Sequence, residues 1–329
     1  MAVAMGWREV LDDALEISVV GSFTSLGFRA RRRLHGWQEP TPGAMAGRTV
    51  VLTGPTSGLG REAADTLARL GARVVLVGRS AERLEEVRGG LVERHGEDRF
   101  PTVVADMGSL SSVRDAAAAI RASEHRIDVL VDNAGAMFPE RTVGPDGIEA
   151  TLAVMVVGPF ALESALLPML LAAQTPQVIA ISSGGMYTQR LHLDDLQWER
   201  EPFSGPRAYA RAKRAQVMLA REWARRIRNR DVAFNAMHPG WADTPGLSAS
   251  LPGFRQVMGP ILRTPAQGVD TLAWMAAGGV GRRSGRFFHD RRERPFDRVP
   301  GTRTDLGERR RLWKAVVELA EIDDPAAEG

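Results

Sequence analysis

The sequence predicts an α/β protein: a single domain with one doubly wound, parallel seven-stranded sheet and helices on both faces. Three observations carry this. Short β-branched runs recur along the chain, they lack the strict polar–apolar alternation of half-exposed strands, and helical stretches separate them. Apolar runs without alternation suit strands covered on both faces. Strand–helix alternation implies βαβ units, whose right-handed crossovers wind the sheet in two directions.

Taken in order, residues 1–46 form an N-terminal amphipathic arm that ends in the basic cluster "RARRR" at 29–33. The Pro/Gly-rich link "EPTPGAMAG" leads into the sheet domain, residues 47–290. Its strands are "RTVVLTG" from 48, "RVVLVGR" from 73, "TVVADM" from 102, "IDVLVDNAG" from 127, "QVIAISS" from 177, "VAFNAMHPG" from 232 and "GRFFHD" from 285. Helical stretches such as "REAADTLARLGA" and "SLSSVRDAAAAIRA" lie between them. From 291 the charged, turn-rich "RRERPFDRVPGTRTDLGERRR" and the short helix "LWKAVVELAEI" read as a basic surface tail, 291–329.

With 44% apolar and 25% charged residues over 329 positions, the chain has ample material for a core. A net charge of +3 with Arg spread along the chain, and no recognisable nucleic-acid module, argues against a nucleic-acid partner. The absence of cysteine excludes disulfides, thiolate metal sites and a cysteine nucleophile, and fits a reducing cytoplasm. No metal site is expected. No run approaches the roughly 18 to 20 apolar residues of a membrane span. The arm carries acids within its apolar part, unlike a secretory signal. Its apolar face beside arginines admits peripheral contact with anionic lipid.

The first strand runs through "TGPTSGLG" directly into a helix. Glycines there let the backbone turn tightly and approach a pyrophosphate, while free N–H groups at the helix start receive its charge. Gly54, Thr56, Ser57, Gly58, Leu59 and Gly60 are therefore candidate cofactor-binding residues. At the end of the second strand, where an acid would hold the ribose hydroxyls of NAD, Gly78 is followed by Arg79. An arginine fork suits a 2′-phosphate, so NADP(H) is favoured over NAD(H). Asp106 ends the third strand and can accept from an adenine amino group. The "DNAG" turn offers Asn133, Ala134 and Gly135, with Asn133 able to brace the backbone beside the cofactor.

Only two of the 43 basic residues are lysine, Lys213 and Lys314, and only two residues are tyrosine. Tyr209 and Lys213 stand four apart on a predicted helix and so share a face. An ammonium beside a phenol lowers its ordinary pKa of about 10 and opens general acid–base chemistry. Upstream, Ser182 and Ser183 end the fifth strand, and either hydroxyl can hydrogen-bond a substrate oxygen. Neighbours on a strand face opposite ways, so the sequence does not say which.

Together these motifs resemble the short-chain dehydrogenase/reductase superfamily, built on one Rossmann domain, over roughly residues 46 to 290. The "LHLDDLQWEREPF" insertion is similar to the retinol-dehydrogenase-like branch. The resemblance implies Ser183 as the carbonyl-polarising hydroxyl, Tyr209 as proton donor or acceptor, and Lys213 as its partner and ribose ligand. It also implies that Pro239, Gly240 and Thr244 lie beside the nicotinamide, that residues 245 to about 264 form a substrate lid, and that strands run 3-2-1-4-5-6-7. Homo-oligomers are frequent in the superfamily. The expected activity is interconversion of a small-molecule alcohol and its carbonyl with NADP(H). Leu247, Leu251, Phe254 and Met258 in the lid suggest a lipophilic substrate. One position departs. Where the family carries an Asn that holds a water joining the lysine to solvent, this chain has Met155, which offers no useful hydrogen bond. That departure motivates a second reading, an NADP(H)-binding sensor or scaffold with little turnover.

Overall fold

The computed structural model describes residues 6–96, 98–227, 231–246 and 252–327. All seven predicted strands are present: β1 Thr49–Thr53, β2 Arg73–Gly78, β3 Thr102–Val104, β4 Val129–Asp132, β5 Gln177–Ile181, β6 Ala233–Met237 and β7 Phe287–His289. They pair in parallel in the order β3-β2-β1-β4-β5-β6-β7. The sheet has one strand more than expected, and its edge is mixed. β8, Arg292–Glu293, returns antiparallel to β7, with Phe288 opposite Glu293. Asp290 and Arg291 make the turn at positive φ, 52° and 56°. Two residues are too few to show any periodicity, so no pattern marks this strand in advance.

The chain leaves β1 toward β2 on one side and meets β4 on the other, so the order reverses between β1 and β4. That switch point opens a crevice at the carboxyl ends of the strands, where ligands of such sheets bind. One face is covered by α4 Gly58–Arg69, α5 Ala81–His95 and, further along the chain, the helix Pro265–Trp274. The other is covered by α6 Leu110–Ser123, α7 Gly158–Leu171, α8 Gly205–Arg226 and the helix Leu306–Leu319. Aromatic packing closes that second face: the Trp223 ring stacks on Phe234 at 4.8 Å and meets Trp313 edge-on at 4.7 Å. Trp313 belongs to the segment read from sequence as a tail, so residues 291–329 supply core side chains as well as surface.

Among the described residues one helix is long and apolar enough to cross a membrane, contrary to the expectation from the sequence. Ala150–Leu171 has a mean hydropathy of 1.9, but its window is 72% buried inside the fold. It runs through a π-turn at Ala153–Val157 into α7, between sheet, α6 and α8, and so needs an apolar surface all round.

The arm folds as three helices, Trp7–Ile17, Val19–Phe23 and Ser25–His35. Its first helix is inverted: Asp12 and Glu16 are its buried residues, while Trp7, Val10, Leu11 and Ile17 face outward. The reason is Arg31, fully buried within "RARRR". Its Nε donates to Asp12 Oδ1 at 2.9 Å and its Nη1 to Asp290 Oδ2 at 2.7 Å, and its Nη2 pairs with Glu16. Arg294 donates to Asp12 at 2.7 Å and Arg263 to Asp290 at 2.6 Å. Buried charges persist only when paired and hydrogen-bonded, and here three acids share a ring of arginines.

Candidate active site

The phosphate cradle is set by contacts that admit no side chain. Gly54 and Gly58 adopt positive φ, 67° and 51°. A Cβ on Gly60 would stand 1.9 Å from Gly54 O and 2.5 Å from Asn133 Nδ2, and one on Gly54 would stand 2.9 Å from Ala134 Cα. The first turn of α4 is thus pressed against the end of β1. Thr56 and Leu59 are half-buried along it and Ser57 is exposed. This close-packed strand–turn–helix fits a dinucleotide pyrophosphate. Gly60→Ala is expected to weaken cofactor binding at least tenfold in a fluorescence titration, since the overlap must displace the turn.

Asn133 holds the cradle from below. Its Nδ2 donates to Thr53 O and Gly54 O, both at 2.9 Å, and its backbone N–H and that of Ala134 donate to Thr53 Oγ1, both at 3.0 Å. Gly135 is exposed beyond it. Asp106 is exposed, and its Oδ1 accepts from the Gly108 N–H at 2.8 Å, so one oxygen serves the local turn. Arg79 is exposed at the end of β2 and makes no hydrogen bond or ion pair among the described residues. The loop after β6 folds over the cradle: a Cβ on Gly58 would stand 3.2 Å from Thr244 Cβ, and Pro239 borders Gly268 beside Leu59. Gly240 turns at φ 75° against the Arg263 side chain. Leu247 and Leu251 lie outside the described residues, as does the Phe254 side chain, while Met258 is half-buried on the short helix Pro252–Met258.

The two serines separate cleanly. Ser182 Oγ is buried and donates to Lys213 O at 2.8 Å, pinning α8 to β5. Ser183 Oγ accepts from the Gly185 N–H at 3.2 Å, and its hydroxyl lies close enough to Tyr209 to act on it electrostatically. Lys213 is buried, its Nζ donating to Ile181 O at 2.7 Å and lying 5.5 Å from the centre of the Tyr209 ring. Ser183, Tyr209 and Lys213 therefore converge at the carboxyl end of β5. The electrostatics differ from the sequence expectation. Burial pushes Tyr209 up to about 12, against the smaller lowering influence of the nearby Ser183 hydroxyl. Burial pulls Lys213 down to about 7, against the opposing charge of Asp132. Burial thus disfavours the charged form of both groups, the opposite of what the spacing alone suggests for Tyr209.

Several residues at the site were missed from the sequence. Phe23, from the second arm helix, packs its ring 4.9 Å from His238 and 5.4 Å from Trp241, and its carbonyl accepts from the Trp241 N–H at 2.8 Å. A Cβ on Gly184 would stand 3.0 Å from Phe23 Cε1, so the arm walls the crevice beside Ser183. Asp132 and Glu163 are both buried, Asp132 at the end of β4 and Glu163 on α7. Glu163 had a visible signal, as the only charged residue between Thr151 and Ala173.

Comparison with known proteins agrees with this geometry. Residues 48–252 match the short chain dehydrogenase family. The chain is 38% identical to human dehydrogenase/reductase SDR family member 12 over 75% of its length and 77% of that protein. It is 39% identical to the putative daunorubicin C-13 ketoreductase DnrU of Streptomyces sp. (strain C5), over 87% of this chain and 99% of that one. A putative short chain dehydrogenase from Escherichia coli CFT073, solved with NADPH, superposes with a TM-score of 0.63 at 26% identity, covering 76% of this chain and 99% of its own. The chain belongs to the short chain dehydrogenase family, in its retinol-dehydrogenase-like branch, and its fold is that of an oxidoreductase that binds a nicotinamide cofactor.

Proposed function

We propose that the protein interconverts a lipophilic alcohol and its carbonyl with NADP(H), using Ser183, Tyr209 and Lys213. The observation that carries this is the buried Lys213, held by Ile181 O at 2.7 Å and lying 5.5 Å from the centre of the Tyr209 ring, at the strand end that also carries Ser183. The cofactor, when bound, supplies or accepts the hydride at the substrate carbon. In the reducing direction Tyr209 Oη gives its proton to the carbonyl oxygen, and Ser183 Oγ–H donates to that oxygen as charge develops. Lys213 holds a ribose hydroxyl and, as an ammonium, lowers the Tyr209 pKa. In this reading the segment from 245 to about 264 is the substrate lid.

NADP(H) is preferred because Arg79 stands free at the end of β2, where a carboxylate would repel a 2′-phosphate. Fluorescence titration with NADPH and NADH tests this. NADPH is expected to bind at least tenfold more tightly, and Arg79→Ala to remove most of the difference. Equal affinities in the unaltered protein would refute the preference. The other reading, a cofactor-binding sensor, is favoured by Met155, which is fully buried where the family's Asn would be. It predicts tight NADPH binding with no oxidation across a broad panel of aldehydes and ketones.

The inverted arm helix supports peripheral contact with anionic lipid. Trp7 and Ile17 are 65% and 85% exposed, Val10, Leu11, Val19, Val20 and Leu26 also face outward, and Arg8, Arg29 and Arg33 flank them. Co-sedimentation with vesicles containing phosphatidylserine is expected, falling steeply between low and high salt. Binding that ignores both lipid charge and salt would dismiss the electrostatic contribution.

A further inference from the structure

Arg263 joins three parts of the chain that lie far apart in sequence. It is buried, with 1% of its surface exposed. A guanidinium carries five N–H donors in a fixed fork, and here each of them has an oxygen to meet. Nε donates to Phe23 O at 3.1 Å and Nη2 to Ser22 O at 2.8 Å. These are the last two carbonyls of the second arm helix, which have no partner within the helix itself. Nη1 donates to Pro239 O at 3.3 Å, in the loop after β6. The other two N–H groups grip both oxygens of Asp290, at 2.6 and 2.9 Å. The Arg263 main chain adds two bonds to the same loop. Its N–H donates to Trp241 O at 2.7 Å, and its carbonyl accepts from the Asp243 N–H at 2.9 Å. Trp241 completes the junction, with its N–H on Phe23 O at 2.8 Å and its ring 5.4 Å from that of Phe23. The far end of the loop meets the cradle. A Cβ on Gly58 would stand 3.2 Å from Thr244 Cβ, and one on Gly268 would meet Leu59, Ala242 and Pro239 together.

We infer that Arg263 clasps the arm to the loop after β6 and thereby positions that loop over the cofactor cradle, so that arm docking and cofactor binding form one linked equilibrium. The loop spans residues 238–244 and is bonded to the arm at one end and packed on the cradle at the other. While the arm is docked, the loop has already lost the freedom it would otherwise lose when the cofactor arrives. Undocking strips Ser22 O and Phe23 O of their donors and leaves two arms of the buried fork without acceptors, which costs more than the bonds themselves. The loop must then be ordered at the moment of binding, and affinity falls. Linkage is reciprocal: the factor by which the docked arm favours the cofactor is the factor by which the cofactor holds the arm. Arg263 is a positioning residue, since it acts through the loop. The arm is in this scheme a working part of the cofactor site.

The inference rests on the reading of the crevice as an NADP(H) site, and its test needs no turnover. Hydrogen exchange of the full chain is followed by mass spectrometry over residues 19–28, with and without saturating NADPH. Exchange there is expected to slow by about fivefold or more, although these residues belong to the arm and not to the cradle. Arg263→Lys keeps a positive charge opposite Asp290 but offers three donors in place of the five-donor fork. It should weaken NADPH binding by about fivefold or more in a fluorescence titration and remove most of the slowing in the arm. Trp313→Leu is the control for general loosening, since Trp313 packs with Phe160 and Trp223 on the other face of the sheet. It should leave both readouts within about twofold. Tight NADPH binding with arm exchange unmoved, or an Arg263→Lys protein that keeps full affinity, would overturn the inference. If Arg263→Lys does not fold, Phe23→Ala takes its place: it removes the ring against Trp241 and should shift both readouts in the same directions. Linked shifts in a protein that oxidises no NADPH with any carbonyl would leave the clasp standing and reject the catalytic reading instead.

Discussion

Tyr209→Phe is expected to lower turnover by about 10²–10⁴-fold while leaving NADPH affinity within about twofold. The substitution removes one hydroxyl and keeps the ring against Lys213. The second tyrosine cannot stand in for it. Tyr187 donates to Pro295 O at 2.8 Å, and burial raises its pKa still further than that of Tyr209. Tyr187→Phe should therefore retain most activity, which makes it the control for any general effect of losing a phenol. A Tyr209→Phe protein that turns over normally would remove the proton-transfer role. One that loses NADPH binding as well would point to collapse of the site rather than loss of an acid.

The largest effect on stability is expected at Arg31. Arg31→Ala should destabilise the protein by about 3–5 kcal/mol, because it leaves Asp12, Glu16 and Asp290 buried with part of their counter-charge gone. Thermal unfolding measures this, and limited proteolysis between residues 36 and 47 shows whether the arm has come away. A second consequence reaches the site. With the arm released, Phe23 no longer walls the crevice beside Gly184, so KM for an apolar substrate should rise more than kcat falls. The cluster also fixes an acid limit. Burial alone would raise Asp12, but hydrogen bonding and charge from Arg294, then Arg31 and Arg292, prevail and lower it from 3.8 to about 2. Its contribution to stability is present above the unfolded value and is lost as pH falls through about 2. Arg31→Ala should move this acid unfolding to higher pH.

The sheet was legible because buried parallel strands leave continuous β-branched runs, and each of the seven predicted runs became a strand in the expected order. β8 escaped because two residues carry no period. The cradle, the Tyr209–Lys213 pair and the serine strand were legible because each is local, with all its spacing inside one turn or one helix. What stayed hidden depends on distant partners. Arg31 looked like one basic residue among four, and only the fold brings Asp290 to it across 259 positions. Asp12 and Glu16 looked like the solvent side of an amphipathic helix, yet that side is the buried one. The ammonium field on Tyr209 was drawn from spacing alone, and spacing carries no information about desolvation. The choice between Ser182 and Ser183 likewise needed the direction of a side chain, which a two-residue ambiguity on a strand end conceals.

The most direct measurement is stopped-flow single turnover: protein loaded with NADPH is mixed with a panel of lipophilic ketones and aldehydes, and cofactor absorbance is followed. The site described here predicts carbonyl-dependent oxidation of bound NADPH that Ser183→Ala slows and Tyr209→Phe nearly abolishes. Tight NADPH binding with oxidation that is absent, or that survives both substitutions unchanged, would contradict it.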